Sequence, residues 1–132
     1  MATPTMLEVI RENRDMKIVW EYIEEELNDI YFSLNNQRIY KYDMLQNEIW
    51  NYGTYDSGGK LDGLVDAIDV IPNEYVFTGD DNGDVHKITK DGDNVWTFTE
   101  PSNNIYSVSV DEEGNCYAGV YKDYLYKITP DG

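Results

Sequence analysis

The sequence predicts an all-β chain of antiparallel four-stranded repeats, and three observations lead to that reading. The first is self-similarity at an offset of 40 residues. Val85-His86-Lys87-Ile88-Thr89-Lys90-Asp91-Gly92 returns as Leu125-Tyr126-Lys127-Ile128-Thr129-Pro130-Asp131-Gly132, and in the same register Ile68, Val70, Phe77 and Gly79 match Val108, Val110, Tyr117 and Gly119. The second is a motif of β-branched residue, Trp, polar residue and aromatic, found at Val19-Trp20-Glu21-Tyr22, Ile49-Trp50-Asn51-Tyr52 and Val95-Trp96-Thr97-Phe98. The third is local. The runs 38–42, 74–78, 84–89, 105–110 and 115–120 are short, roughly alternating and rich in Ile, Val, Tyr, Phe and Thr. A period near 40 occurs in stacked sheet units and in some helical arrays, and the local pattern decides for strands.

The elements follow in chain order. The N-terminus carries two patterns. Thr5-Met6-Leu7-Glu8 reads as a capping box, and Met16, Val19, Ile23 and Leu27 have helical spacing, which predicts a short helix. Met16, Ile18, Trp20 and Tyr22 alternate, which predicts a degenerate hairpin over 6–22. Under either pattern Glu24-Glu25-Glu26 is an acidic exposed stretch. Nine residues before each tryptophan stands a basic residue, Arg11, Lys41 or Lys87. Hairpins are therefore expected over 9–22, 39–52 and 85–98, with a fourth starting at 124 and all three tryptophans in one structural position. The Trp spacings are 30 and 46, so the first unit is short and is expected to lack a strand. Asn82-Gly83, Asp91-Gly92 and Glu113-Gly114-Asn115 supply turns between strands, and Pro72 and Pro101 fall in links, where a missing N–H costs nothing. The division expected is a degenerate docking segment over 1–37, then repeats over 38–84 and 85–124 and the start of another over 125–132.

Composition narrows the function. Ten Lys and Arg against 26 Asp and Glu give a net charge of -16, a field that repels nucleic acid and anionic lipid. No apolar stretch approaches the roughly 20 residues of a membrane span, so no membrane insertion is expected. A single cysteine, Cys116, forbids an intrachain disulfide, and a single histidine, His86, argues against a histidine metal centre or a triad. The acidity points to a high-salt setting, because salt screens self-repulsion. Seven Lys against three Arg, with 12 Asn, point instead to an AT-rich genome.

Taken together, Phe77 to Gly79, Asp81 to Ile88 and Asp91 to Phe98 resemble quinoprotein-like (PQQ-like) β-propeller repeats. The resemblance is closest over 64–132 and weaker over 6–52. WD40 repeats are similar in period, but their Gly-His and Trp-Asp dipeptides are absent. Such repeats are found in acidic haloarchaeal proteins and in structural proteins of tailed viruses. The resemblance implies a propeller-like assembly in which Trp20, Trp50 and Trp96 pack blade against blade; it does not imply an enzyme. The quinone-dependent dehydrogenases of that family hold a quinone and calcium on the propeller axis, often beside paired cysteines. This chain has no cysteine pair and too few blades, so none of their catalytic residues transfers. The smallest propeller needs about 160 residues at four blades of about 40. The chain is shorter, and the expectation is the N-terminal part of a longer repeat protein or an assembly completed by several chains.

Site candidates are few. Asp80, Asn82 and Asp84 place oxygens at alternate positions and are a candidate Ca²⁺ ladder, although Val85 stands where an EF-hand needs glycine. A plain turn is the competing reading. Asp62, Asp66 and Asp69 group as expected in any acidic chain, His86 aligns with Tyr40 and Tyr126 as a strand residue, and Cys116 reads as core. The loop Asp56-Ser57-Gly58-Gly59-Lys60 lacks the phosphate-loop pattern. No cofactor is expected. Among 12 tyrosines, Tyr121 and Tyr124 flank a turn and suit an interface. The function expected is a non-enzymatic structural protein of a tailed-virus particle (tail, fibre or capsid turret), assembled in the host cytoplasm. It would dock through Met6, Leu7, Val9, Ile10, Ile18, Ile23 and Leu27 onto other virion subunits and copies of itself. The alternative is a cytoplasmic propeller scaffold of a halophile.

Overall fold

The computed structural model describes residues 18–24, 29–34, 36–53 and 63–132, with the backbone alone for 18–24. Eleven strands are formed among them and no helix. The first sheet is β1 (Ile18–Glu24), β2 (Asp29–Leu34), β3 (Arg38–Asp43) and β4 (Glu48–Gly53). The second is β5 (Val65–Ile71), β6 (Tyr75–Asp80), β7 (Val85–Thr89) and β8 (Asn94–Phe98). The third is β9 (Ile105–Val110), β10 (Cys116–Val120) and β11 (Leu125–Ile128). Each sheet is an antiparallel meander in chain order, as short turns between consecutive strands require.

The sheets stack through their leading strands: β1 and β2 lie against β5, and β5 and β6 against β9. Their facing side chains make two cores. Tyr31, Ile39, Tyr52, Val65, Ile68, Val70, Val76 and Ile88 fill the first gap. Phe77, Val85, Ile105, Cys116, Ala118 and Ile128 fill the second. Each large side chain so buried contributes about 1.5–3 kcal/mol. Gly79 marks the tightest approach, because a Cβ there would collide with the Ile105 side chain.

The strands expected over 38–42, 74–78, 84–89, 105–110 and 115–120 form as β3, β6, β7, β9 and β10. Four expectations are corrected. The boundary at 37/38 falls inside a sheet, because β2 pairs β3 across it. The first sheet does not lack a strand; it has four. The boundaries at 84/85 and 124/125 fall inside sheets, where β6 pairs β7 and β10 pairs β11. A sequence repeat has no intrinsic phase; hydrogen bonding sets it. The fourth correction is that Trp20 is not equivalent in strand position to the other tryptophans. It lies on the leading strand β1, paired with β2, whereas Trp50 and Trp96 lie on the trailing strands β4 and β8. The short-helix and hairpin readings of residues 1–17 lie outside the described residues.

A candidate interaction surface built from repeated clasps

Lys41 stands opposite Trp50 on adjacent strands, and Lys87 stands opposite Trp96. That cross-strand pairing explains the nine-residue spacing of the motif. Each pair closes on one backbone carbonyl of the next sheet. The Trp50 indole N–H donates to the Lys90 carbonyl at 2.8 Å, and the Lys41 ammonium reaches the same oxygen at 3.3 Å. One repeat on, Trp96 donates to the Pro130 carbonyl at 2.9 Å and Lys87 to the same oxygen at 3.0 Å. A glycine seats each ring. A Cβ on Gly92 would stand 3.0 Å from Trp50 Cγ, and one on Gly132 would stand 3.2 Å from Trp96 Cγ. Both glycines also take the left-handed conformation, with φ of +94° and +100°. The packing role expected of Trp50 and Trp96 thus has a concrete form.

The clasp lysines share further surroundings. Lys41 lies over the Tyr31 ring and pairs with Asp29 at 3.1 Å, and Lys87 lies 4.0 Å from the Tyr75 ring centre. The third sheet repeats the preparation. Lys127 pairs with Tyr117 as Lys41 does with Tyr31 and Lys87 with Phe77, and its ammonium lies 6.0 Å from the Tyr117 ring. Its strand neighbour Leu125 occupies the place of Ile39 and Val85. Those two are fully buried between sheets, whereas Leu125 is 71% exposed. Tyr106 and Tyr121 pack 5.2 Å apart, and Tyr124 is 76% exposed. Tyr121 and Tyr124, the tyrosines expected at an interface, are both exposed.

The other candidates take structural positions. Asp80 Oδ1 accepts the backbone N–H groups of Asn82 and Asp84 at 3.1 and 2.9 Å, while the Asn82 side chain is exposed. The oxygen ladder Asp80–Asn82–Asp84 is therefore divided between interior and solvent. Asp43, Thr89 and Asp111 close three other turns in the same way. The side-chain hydrogen bonds from Asn47 and Asn115 hold Asp43 and Asp111 below the usual carboxylate range. Asp69 bridges sheets, accepting the N–H of Val70 at 2.9 Å and of Val110 at 2.8 Å. Asp66 is half-buried on β5, and Asp62 lies outside the described residues. Burial pushes the Cys116 thiol up to about 12, with Asp69 adding to it. Met6, Leu7, Val9, Ile10 and Leu27 lie outside the described residues, and Ile18 and Ile23 are placed on β1 by backbone alone.

Sequence alignment within the chain identified His86 only as a strand residue, yet it joins a buried polar relay. The relay runs from Asp80 Oδ2 (3.4 Å) through His86 to Thr97 Oγ1 (3.1 Å), Asn94 Nδ2 (3.2 Å) and the Tyr52 hydroxyl (2.8 Å).

No protein-family model matches the chain, and no curated protein matches it in sequence. Solved structures do match in fold. The computationally designed Ika4 protein superposes with a TM-score of 0.72 at 9% identity, over 86% of this chain and 66% of that one. The WD40 repeats of RRP9 superpose with a TM-score of 0.69 at 12% identity, over 78% and 32%. The WD40 β-propeller domain of Doa1 superposes with a TM-score of 0.62 at 22% identity, over 74% and 32%. The chain spans about a third of the length of these WD40 structures. Its three sheets are successive propeller-type blades, a partial propeller.

Proposed function

We propose that the chain is a non-enzymatic interaction scaffold whose third blade seats a further blade, of this chain or of a partner, against Lys127 and Leu125. The observation that carries this reading is the third clasp position. Lys127 and Leu125 stand where Lys87 and Val85 grip and bury the following blade, yet Leu125 remains 71% exposed. The blade that fits offers a turn carbonyl to the ammonium and an apolar sheet face to Leu125. Against catalysis stand the roles of the polar residues: Asp43, Asp80 and Asp111 close turns, Asp69 bridges sheets, and the cysteine is buried. The virion setting, with other subunits as partners, rests on the likeness of the repeats to those of tailed-virus structural proteins. In that setting Met6, Leu7, Val9 and Ile10 serve as the docking segment.

The test is co-sedimentation of the full chain with purified particles from infected host cells, comparing wild type with Leu125→Asp and with a deletion of residues 1–10. Both variants are checked for unchanged β-sheet circular dichroism. Loss of binding in Leu125→Asp supports the open blade as the receiving surface, and loss in the deletion supports the N-terminal segment. Binding that survives both changes refutes the reading, as does a chain that binds host protein but no particle in the virion setting.

A further inference from the structure

We propose that Asp80, Asp84 and His86, completed by Thr78, form a transition-metal site, with zinc as the ion that fits best. The argument begins with a comparison of blades. Thr78 pairs with His86, Phe32 with Tyr40, and Ala118 with Tyr126, so these are equivalent cross-strand pairs in the three blades. Two residues beyond Thr78 stands Asp80, where the first blade has Leu34 and the third has Val120. The fold fills these places with apolar or aromatic side chains in two blades out of three. Only the second blade fills them with a hydroxyl, a carboxylate and an imidazole, and it buries all three fully. Asp80 and His86 have hydrogen-bond partners, whereas the Thr78 hydroxyl is buried without one, and burying it unsatisfied opposes folding unless a ligand offsets it.

The geometry fits a metal. Donor atoms of Asp80, Asp84 and His86 lie within 4.8 Å of one another. His86 Nε2 and Asp80 Oδ2 are 3.4 Å apart, long for a hydrogen bond to a charged acceptor, which runs about 2.7–2.9 Å. Two donors bound tetrahedrally at about 2.0–2.1 Å stand about 3.3–3.4 Å apart, which matches. Thr78 supplies the independent sign. It leaves the same face of the sheet as Asp80 and His86, directly across from His86, and its hydroxyl is buried without a hydrogen-bond partner.

The surroundings also suit an ion. His86 Nδ1 lies 3.1 Å from Thr97 Oγ1. When Nδ1–H donates there, the Nε2 lone pair faces the Asp80 carboxylate, and a cation between them satisfies both. Two carboxylates and a neutral imidazole balance a divalent charge in a buried place. Asp84 is half-exposed, which opens a path from solvent. Mixed nitrogen and oxygen donors favour zinc, or cobalt as its stand-in, over calcium, which takes six to eight oxygens.

The test uses the full chain stripped with a chelator, then titrated with Zn²⁺ by calorimetry and with Co²⁺ by visible absorption. The expected results are a one-to-one zinc isotherm and the intense visible bands of four-coordinate cobalt. Asp84→Asn, at a half-exposed position, is expected to fold and to weaken zinc binding more than about tenfold. Asp91→Asn, an exposed acid in a neighbouring turn, is expected to bind as wild type does. His86→Gln is expected to abolish the cobalt bands, and if it fails to fold, Asp84→Asn carries the decision. Equal zinc binding by wild type and Asp84→Asn, or six-coordinate cobalt spectra, would overturn the site and leave only diffuse attraction of cations to an acidic chain.

Discussion

Removing one donor from a clasp leaves the carbonyl a second one, and this makes the clasp open to a quantitative test. In Trp96→Phe the ring is kept and the indole N–H is lost, so the 2.9 Å bond to the Pro130 carbonyl disappears. The Lys87 ammonium still reaches that oxygen at 3.0 Å, so the acceptor is not stranded. The expected cost is that of one ordinary hydrogen bond, about 0.5–1.5 kcal/mol. Lys87→Met removes a charge-assisted bond and the contact with the Tyr75 ring at 4.0 Å, but it also relieves the burial of an ammonium. Its expected cost is about 1–2 kcal/mol. In the double variant the carbonyl loses both donors. Pro130 is half-buried, so water replaces them only in part, and the double variant should cost more than the sum of the single ones by about 0.5–1 kcal/mol. Urea denaturation followed by tryptophan fluorescence and circular dichroism measures all four corners of the cycle. Strict additivity, or a Trp96→Phe variant as stable as wild type, would refute the shared-carbonyl clasp.

Two other outcomes follow from the turns and the core. Asp43 and Asp111 are held below the ordinary carboxylate value by their asparagine partners, so their contribution is present above the unfolded pKa of about 3.9 and lost as pH falls through the lower folded values. Asp111→Asn should therefore flatten the acid limb of a stability–pH curve below that pH, and an unchanged limb would show that the turn carboxylate has no share in it. Cys116 is buried and its thiol is pushed up to about 12, so in the folded chain it should resist a disulfide-exchange reagent at pH 8 and react at once in denaturant. Rapid labelling of the native chain would contradict the placement of β10 in the core.

Much of the blade was legible in the chain. The hairpin turns and most of the strands have one face toward a neighbouring sheet, and alternation along them records that face directly. The Lys–Trp spacing of nine also came through, because both residues answer to one cross-strand pairing. Strand β2 was missed for the opposite reason. Asp29-Ile30-Tyr31-Phe32-Ser33-Leu34 is buried on both faces, so it has no period-two signal to read.

What the amino-acid order determined by itself was the local conformation, the repeat and the residue types that face each gap. The tertiary structure decided the rest, because partners in a sheet are chosen by hydrogen bonding between segments that sequence similarity cannot rank. That choice set the blade phase and moved Trp20 to a leading strand, away from Trp50 and Trp96. It also turned His86 from a residue aligned with two tyrosines into the neighbour of Asp80 and Thr78. Periodicity reports which face of a strand is apolar. Only packing brings polar atoms from separate strands within bonding distance, and so only packing could assemble the clasps and the buried cluster.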